Sequence, residues 1–420
     1  MTLTRRRLLA APAALLPAQP TFPGIRREVF LPSPAKGVAV MAYAFYTSSS
    51  GGAMSSIEQR WSRSDTIDIA YIRQSKDHGK SWSEPVEMRT GERRPEGMLR
   101  RHPRGGFVDR KTRRYIEFWT EGVLPSDDPL EGMRNWNIYY RIWRGDKAGP
   151  VQQVIHTGAE YNARHALPGV WTGKNAVMLG DMTCIPVTGT DGSILLPVEI
   201  TPLGPDGKLY NPTGGYTYTD AAVVIGRWKG ERLEWTISDV VKGDPAVSTR
   251  GMVEPTIEFL NDGRLLMVLR GSNDKKPELP SHRWACWSSD GGRRWTTPKP
   301  WTYEDGQAFF SPSSCSQLVR HSSGRLYWLG NLTPENPRGN RPRYPFVIAE
   351  VDLGTGLLLR KSVRVVDTLG PGDDPLLTLS NFYAREDRLT GEIALHMTRL
   401  FALADGWKGD AFLYHIGLVG

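Results

Sequence analysis

The sequence predicts an all-β chain folded as a six-bladed β-propeller of four-stranded antiparallel blades. Three observations lead there: dense turn punctuation, a turn-plus-strand unit that recurs six times, and an eight-residue loop pattern found twice at one phase of that unit. Gly and Pro supply 44 and 31 of 420 residues, above the average of about 12% for the two together. Such punctuation suits many short strands joined by turns.

The recurring units are Gly37–Met41, Arg113–Phe118, Gly192–Leu196, Gly263–Met267, Gly324–Trp328 and Gly391–Leu395. Each places a turn before an alternating apolar strand, and Asp191-Gly192, Asp262-Gly263, Ser323-Gly324 and Thr390-Gly391 are hairpin-turn chemistry. Successive starts lie 61 to 79 residues apart, room for one four-stranded blade with its loops. No amphipathic helical period stands out. The six units therefore read as one domain over 21–420, although length alone would suggest two or three.

The loop pattern is Ser-x-Asp-x-Gly-x-x-Trp. It occurs as Ser75-Lys76-Asp77-His78-Gly79-Lys80-Ser81-Trp82 and as Ser288-Ser289-Asp290-Gly291-Gly292-Arg293-Arg294-Trp295. A degraded copy, Glu350 to Leu357, keeps Asp352 and Gly354 but loses Ser and Trp. In such a loop Asp bonds backbone N–H groups, Gly takes the left-handed step and Trp packs back between strands. The pattern is that of the Asp boxes of the sialidase (neuraminidase) superfamily, which the chain resembles over nearly all of 21–420. Asp77 and Asp290 are read as structural, because Asp boxes mark architecture and also occur in propellers that are not sialidases.

The resemblance implies a retaining exo-α-sialidase type of glycoside hydrolase. In that chemistry an Asp is acid/base, a Tyr activated by a Glu is the nucleophile, and three Arg residues grip the substrate carboxylate. The physical logic is that sialic acid carries its carboxylate on the anomeric carbon, so a carboxylate nucleophile would be repelled and a Tyr hydroxyl is not. Arginines suit the grip through bidentate, charge-assisted bonds.

Residue by residue, Glu58-Gln59-Arg60 resembles the Glu-x-Arg stretch ahead of the family's acid/base loop, which makes Asp65 the acid/base and Asp68 its rival. Glu254, then a strand, the Asp262-Gly263 turn, a second strand and Arg270 resemble the activating Glu and a carboxylate-binding Arg. Antiparallel pairing across that turn brings the two near one blade edge; Glu258 lies deeper in the strand. Arg27, with Arg26 as alternative, stands where the family has its first Arg, and Arg343, with Arg341 as alternative, where it has its third. The nucleophile has two alignments. Matching Ser380 to the family's Tyr-Ser puts Leu379 in the role, whereas matching the distance to the strand of Gly391–Leu395 puts Tyr383 there.

Other classes are poorer fits. No His-Glu-x-x-His, Cys-x-x-Cys or Gly-x-Ser-x-Gly pattern appears, so no metal or other cofactor is expected. Cys184, Cys286 and Cys315 are scattered and odd in number, which suits small buried hydrophobes. Residues 1–20 read as an export signal of twin-arginine type, with Arg5-Arg6-Arg7 before a short apolar stretch. A periplasmic or extracellular location follows. Removing those three arginines takes the net charge from +8 to +5. The cluster Arg93, Arg94, Arg100, Arg101, Arg104, Arg110, Lys111, Arg113 and Arg114 reads as a solvated basic face rather than a nucleic-acid surface. No run is long and apolar enough to span a membrane. The expected partner is a glycan ending in an acidic sugar. The two alternatives are a propeller glycosidase or lyase for another acidic or deoxy sugar, and a non-catalytic glycan-binding propeller.

Overall fold

The computed structural model describes residues 23–128, 135–170 and 177–418; the expected export signal at 1–20 lies outside them. Among the described residues, six sheets have four or more strands and one has three. Every pairing within these sheets is antiparallel. The fold is all-β and propeller-like.

Within most sheets successive strands pair in chain order. Ala39–Tyr46, Met54–Trp61, Ile69–Ser75 and Val86–Met88 make the first. Val253–Phe259, Leu265–Arg270, Arg283–Ser288 and Lys299–Pro300 make the fourth. In the fourth, fifth and sixth sheets the recurrent turn leads into the second strand, and in the second and third, which each begin with an extra short strand, into the third. In the first sheet the unit at Gly37 leads into the first strand, so the sequence repeat is one strand out of phase there.

The last sheet combines both ends of the chain. Phe382–Glu386, Ile393–Thr398 and Ala411–Ile416 are followed by Ile25–Leu31, which pairs with Ala411–Ile416. Strands of neighbouring sheets pack side by side: Ala39–Tyr46 touches both Phe382–Glu386 and Gly97–Val108. Gln317–Arg320 touches both Val253–Phe259 and Phe382–Glu386. Apolar side chains fill the spaces between sheets, as where Ile116, Phe118 and Ile138 meet Leu196, Val224 and Trp235. Each such side chain contributes about 1.5–3 kcal/mol by leaving water.

Both full Asp boxes join the third strand of a sheet to the fourth. In the first, Ser75 Oγ donates to Asp77 Oδ1 (2.8 Å) and accepts from Gly79 N–H (2.9 Å), and Asp77 Oδ1 accepts from Ser81 N–H (2.9 Å). The second repeats this with Ser288, Asp290, Gly292 and Arg294, each distance being 2.9 Å. Gly79 and Gly292 sit at φ +82° and +84°, where a side chain would be strained. Even the degraded copy keeps its core, with Thr355 N–H donating to Asp352 Oδ1 at 2.7 Å.

A candidate active site

In an antiparallel pair the start of the first strand and the end of the second lie at one end of the sheet. Residues from those positions in several sheets line a single cavity of about 520 Å3. Asp65 comes from the loop between Met54–Trp61 and Ile69–Ser75, Glu254 from the start of Val253–Phe259, Arg270 from the end of Leu265–Arg270, and Arg343 from the loop before Phe346–Val351. The structure thus brings together four of the six residues that the sequence singled out. Arg341, the alternative to Arg343, lines the cavity as well.

Glu254 and Arg270 form a buried pair, with Nη1 donating to Oε1 at 2.5 Å. Their register explains the contact. Val253 pairs with Arg270, and the ladder is then interrupted until Thr256, a bulge that turns Glu254 toward the cavity. Glu254 takes φ +47° and Asp65 φ +53°. Only five described residues other than glycine have positive φ, and two are these cavity residues. Backbone strain of this kind concentrates at functional sites. The bulged Glu254 N–H donates to Glu199 Oε1 at 3.0 Å, which braces the conformation from a neighbouring sheet.

The electrostatics are those of cations and carboxylates held together out of water. Burial pushes the Glu254 carboxyl up, but the charge and hydrogen bond of Arg270, with the charge of Arg343, bring it below its ordinary value. Glu199 goes the other way: burial and then the Glu254 charge push it up to about 7, against the pull of Arg270. Arg343 is pushed down to about 10 by burial and then by the Arg270 charge. Its Nη2 donates to Ser313 O at 2.9 Å, and Ser313 Oγ accepts from Arg270 Nε at 2.8 Å, so one serine positions both guanidinium groups. A carboxylate ligand would relieve the mutual repulsion of these cations.

Two sequence-selected residues lie elsewhere. Arg27 is on Ile25–Leu31, the outer strand of the last sheet, where Nη1 donates to Asp367 Oδ2 at 3.0 Å and the guanidinium covers the Phe412 ring. Closure of the chain by its first strand carries Arg27 away from the cavity. Its alternative Arg26 pairs with Glu392 on the exterior. Tyr383 packs edge-on to Phe45 and lines a small crevice with Gly105, Met182 and Pro186, not the cavity. Its partner in the other alignment, Leu379, is fully buried in the core. In this segment Thr378 and Asn381 reach the cavity; Asn381 stands just before the strand Phe382–Glu386, whereas Tyr383 lies within that strand and packs on Phe45.

Asp68 accepts Ser62 N–H at 2.7 Å and so holds the loop that presents Asp65. The expected basic face is broken into local pairs, Arg100 with Asp127 and Arg101 with Glu121, while Arg104 lines the cavity. Sequence reading also missed Asp181, Glu199, Arg250 and Cys315 as cavity residues. The three cysteines are buried as expected. No group of three or more His, Cys, Asp and Glu among the described residues is arranged to hold a metal ion.

Comparison with known proteins agrees with the architecture. No curated protein matches the sequence. A protein of unknown function from Dyadobacter fermentans is similar in structure, with a TM-score of 0.59 at 14% identity over 94% of this chain and 100% of that one. A Hadza microbial sialidase gives 0.58 at 12% identity, over 91% of this chain and 66% of that one. The α-L-arabinofuranosidase of Fusarium graminearum gives 0.51 at 14% identity, over 93% and 98%. At such identities the likeness is one of fold, and the fold is one used by glycoside hydrolases. The family model for the BNR repeat-like domain matches residues 139–364, more than half of the sequence, and the chain belongs to that sialidase-like family.

Proposed function

We propose that the protein is an exo-acting glycoside hydrolase that removes a terminal acidic sugar from a glycan, and that its six large sheets are the blades of one propeller. The observation that carries this reading is the meeting of Arg270, Arg341 and Arg343 with Asp65 and Glu254 on one cavity. The arginines would take the sugar carboxylate. Asp65, exposed at the mouth where a leaving group departs, would donate the proton to the glycosidic oxygen. Glu254 would keep Arg270 charged and oriented.

Sialic acid is the substrate that the family resemblance suggests. A second reading, a hexuronic acid, is favoured by Tyr383, because the Tyr that the family resemblance singles out lines the crevice and not the cavity, where Tyr216 is the tyrosine present. The signal read at 1–20 would place either activity in the periplasm or outside the cell. The test is release of 4-methylumbelliferone from the α-sialoside and from the α- and β-hexuronides by wild type, Asp65→Asn and Arg343→Met. The variants are expected to lose turnover and to raise KM, respectively. Absence of turnover by wild type, with neither N-acetylneuraminic acid nor glucuronic acid binding in calorimetry, would sink the proposal.

A further inference from the structure

Asp181 lines the cavity with its side chain only 8% exposed. Its surroundings are those of a carboxylate built for use. Oδ1 accepts Met182 N–H at 2.7 Å and lies 3.8 Å from Arg104 Nη1. Arg104 is in turn anchored on the carbonyls of Leu179 and Gly180, the residues that lead into Asp181. Oδ2 accepts Asn381 Nδ2–H at 2.7 Å and faces the Cys315 thiol at 3.4 Å. Three parts of the chain far apart in sequence therefore orient one carboxyl group.

Asn381 comes from the segment that the family resemblance expects to supply the nucleophilic Tyr, and Asp181 is the acidic group that Asn381 holds at the cavity wall. Gly180 shows how tightly the wall is built. A Cβ there would stand 2.3 Å from Glu199 Oε1 and 2.4 Å from Glu254 Cγ. Burial raises the Asp181 carboxyl above its ordinary value, Arg104 pulls it back and the Glu254 charge adds to the rise. A raised carboxylate is a better proton acceptor.

We infer that Asp181 is the catalytic base beneath the sugar, and that its charge there restricts the substrate to sugars whose own carboxylate lies away from the anomeric carbon, the hexuronic acids. The inference rests on the glycosidase reading and deepens it. In the step, Asp181 takes a proton from a water whose oxygen forms the new bond to the anomeric carbon. The glycosidic C–O bond breaks, its electron pair stays with the leaving oxygen, and that oxygen takes the proton of Asp65. Asp181 then returns its proton to solvent and Asp65 takes one up, so the net change is addition of one water with inversion. A sialoside would place its carboxylate on the carbon that Asp181 faces, and the two charges would repel.

The experiment compares wild type, Asp181→Asn and Asp181→Ala on the 4-methylumbelliferyl hexuronides and α-sialoside. Wild type is expected to cleave a hexuronide in preference to the sialoside and to release the inverted anomer, read by proton NMR. Asp181→Asn should lower kcat by about 100- to 10,000-fold, with KM and glucuronate binding little changed. Azide should partly restore Asp181→Ala and yield a glycosyl azide, which a merely structural role would not produce. If wild type cleaves a hexuronide and Asp181→Asn keeps kcat within tenfold, Asp181 is not the base although the glycosidase reading stands. Retention of configuration, or faster cleavage of the sialoside, also overturns the inference. If wild type neither cleaves nor binds any acidic sugar, the glycosidase reading itself falls.

Discussion

The buried pair at the cavity can be tested through stability, independently of any substrate. Glu254→Gln keeps the shape and an acceptor for Arg270 but removes a charge among Arg270, Arg343 and the buried Arg283. Breaking a buried ion pair by neutralising one partner costs about 3–5 kcal/mol, against about 0–1 for an exposed pair. Two features put this case near the lower bound: Gln can still accept from Arg270, and loss of the Glu254 charge lets the raised Glu199 ionise more readily beside the same cations. The expected loss is about 3 kcal/mol at pH 7.5, read by urea unfolding followed through tryptophan fluorescence. The sign with pH is fixed by the depressed Glu254 carboxyl. Its contribution is fully present above the ordinary value of 4.5 and is lost as pH falls through the lower folded value. Wild type and Glu254→Gln should therefore converge in acid. Adding Glu199→Gln to Glu254→Gln should deepen the loss at neutral pH. A difference below about 1 kcal/mol at pH 7.5, or one unchanged in acid, would show that the pair is solvated and the cavity electrostatics misread.

The remaining predictions concern positions around this pair. Tyr383→Phe should keep turnover within twofold, because Tyr383 faces the crevice beside Phe45; a hundredfold loss would return it to the reaction. Asp290→Ala should cost about 1–3 kcal/mol in urea unfolding without changing kcat, since Asp290 accepts from Arg294 N–H and Ser288 Oγ in the loop. Asp220 is raised to about 6, chiefly by burial, so the folded state loses stability as pH rises from the ordinary 3.8 through 6. Asp220→Asn should then be more stable than wild type at pH 7.5 by up to about 3 kcal/mol and not below pH 4; no gain at neutral pH would refute it. Gly180→Ala should cost about 1–3 kcal/mol through overpacking and cut turnover more than tenfold, since its Cβ meets Glu199 and Glu254.

What was legible in the sequence is what the chain encodes locally. The Asp boxes are complete within eight residues, so their hydrogen bonds follow from the pattern itself. Glu254 and Arg270 belong to one hairpin, and the Asp262-Gly263 turn suffices to place them together. The errors fall where a side chain depends on ring closure or on where a strand begins. Arg27 sits on a strand that pairs with the last sheet, so its position reflects residues nearly four hundred places away. Tyr383 was chosen by distance to the next strand, but it lies inside Phe382–Glu386 and packs on Phe45, and Asn381, just ahead of that strand, meets the cavity instead. Asp181 illustrates the deeper limit. Its partners Cys315 and Asn381 are 134 and 200 residues distant, and nothing in Gly180-Asp181-Met182 announces them. A carboxylate held by groups from separate sheets becomes visible only once the sheets are assembled. That same dispersal allows its pKa and direction to be set without disturbing any one strand. If the arrangement serves the reaction, replacing Asn381 with Ala should slow turnover at least tenfold while costing only about 1–3 kcal/mol in unfolding, the worth of the hydrogen bond to the buried Asp181 Oδ2. A loss of stability without a loss of rate would make Asn381 and Asp181 part of the scaffold instead.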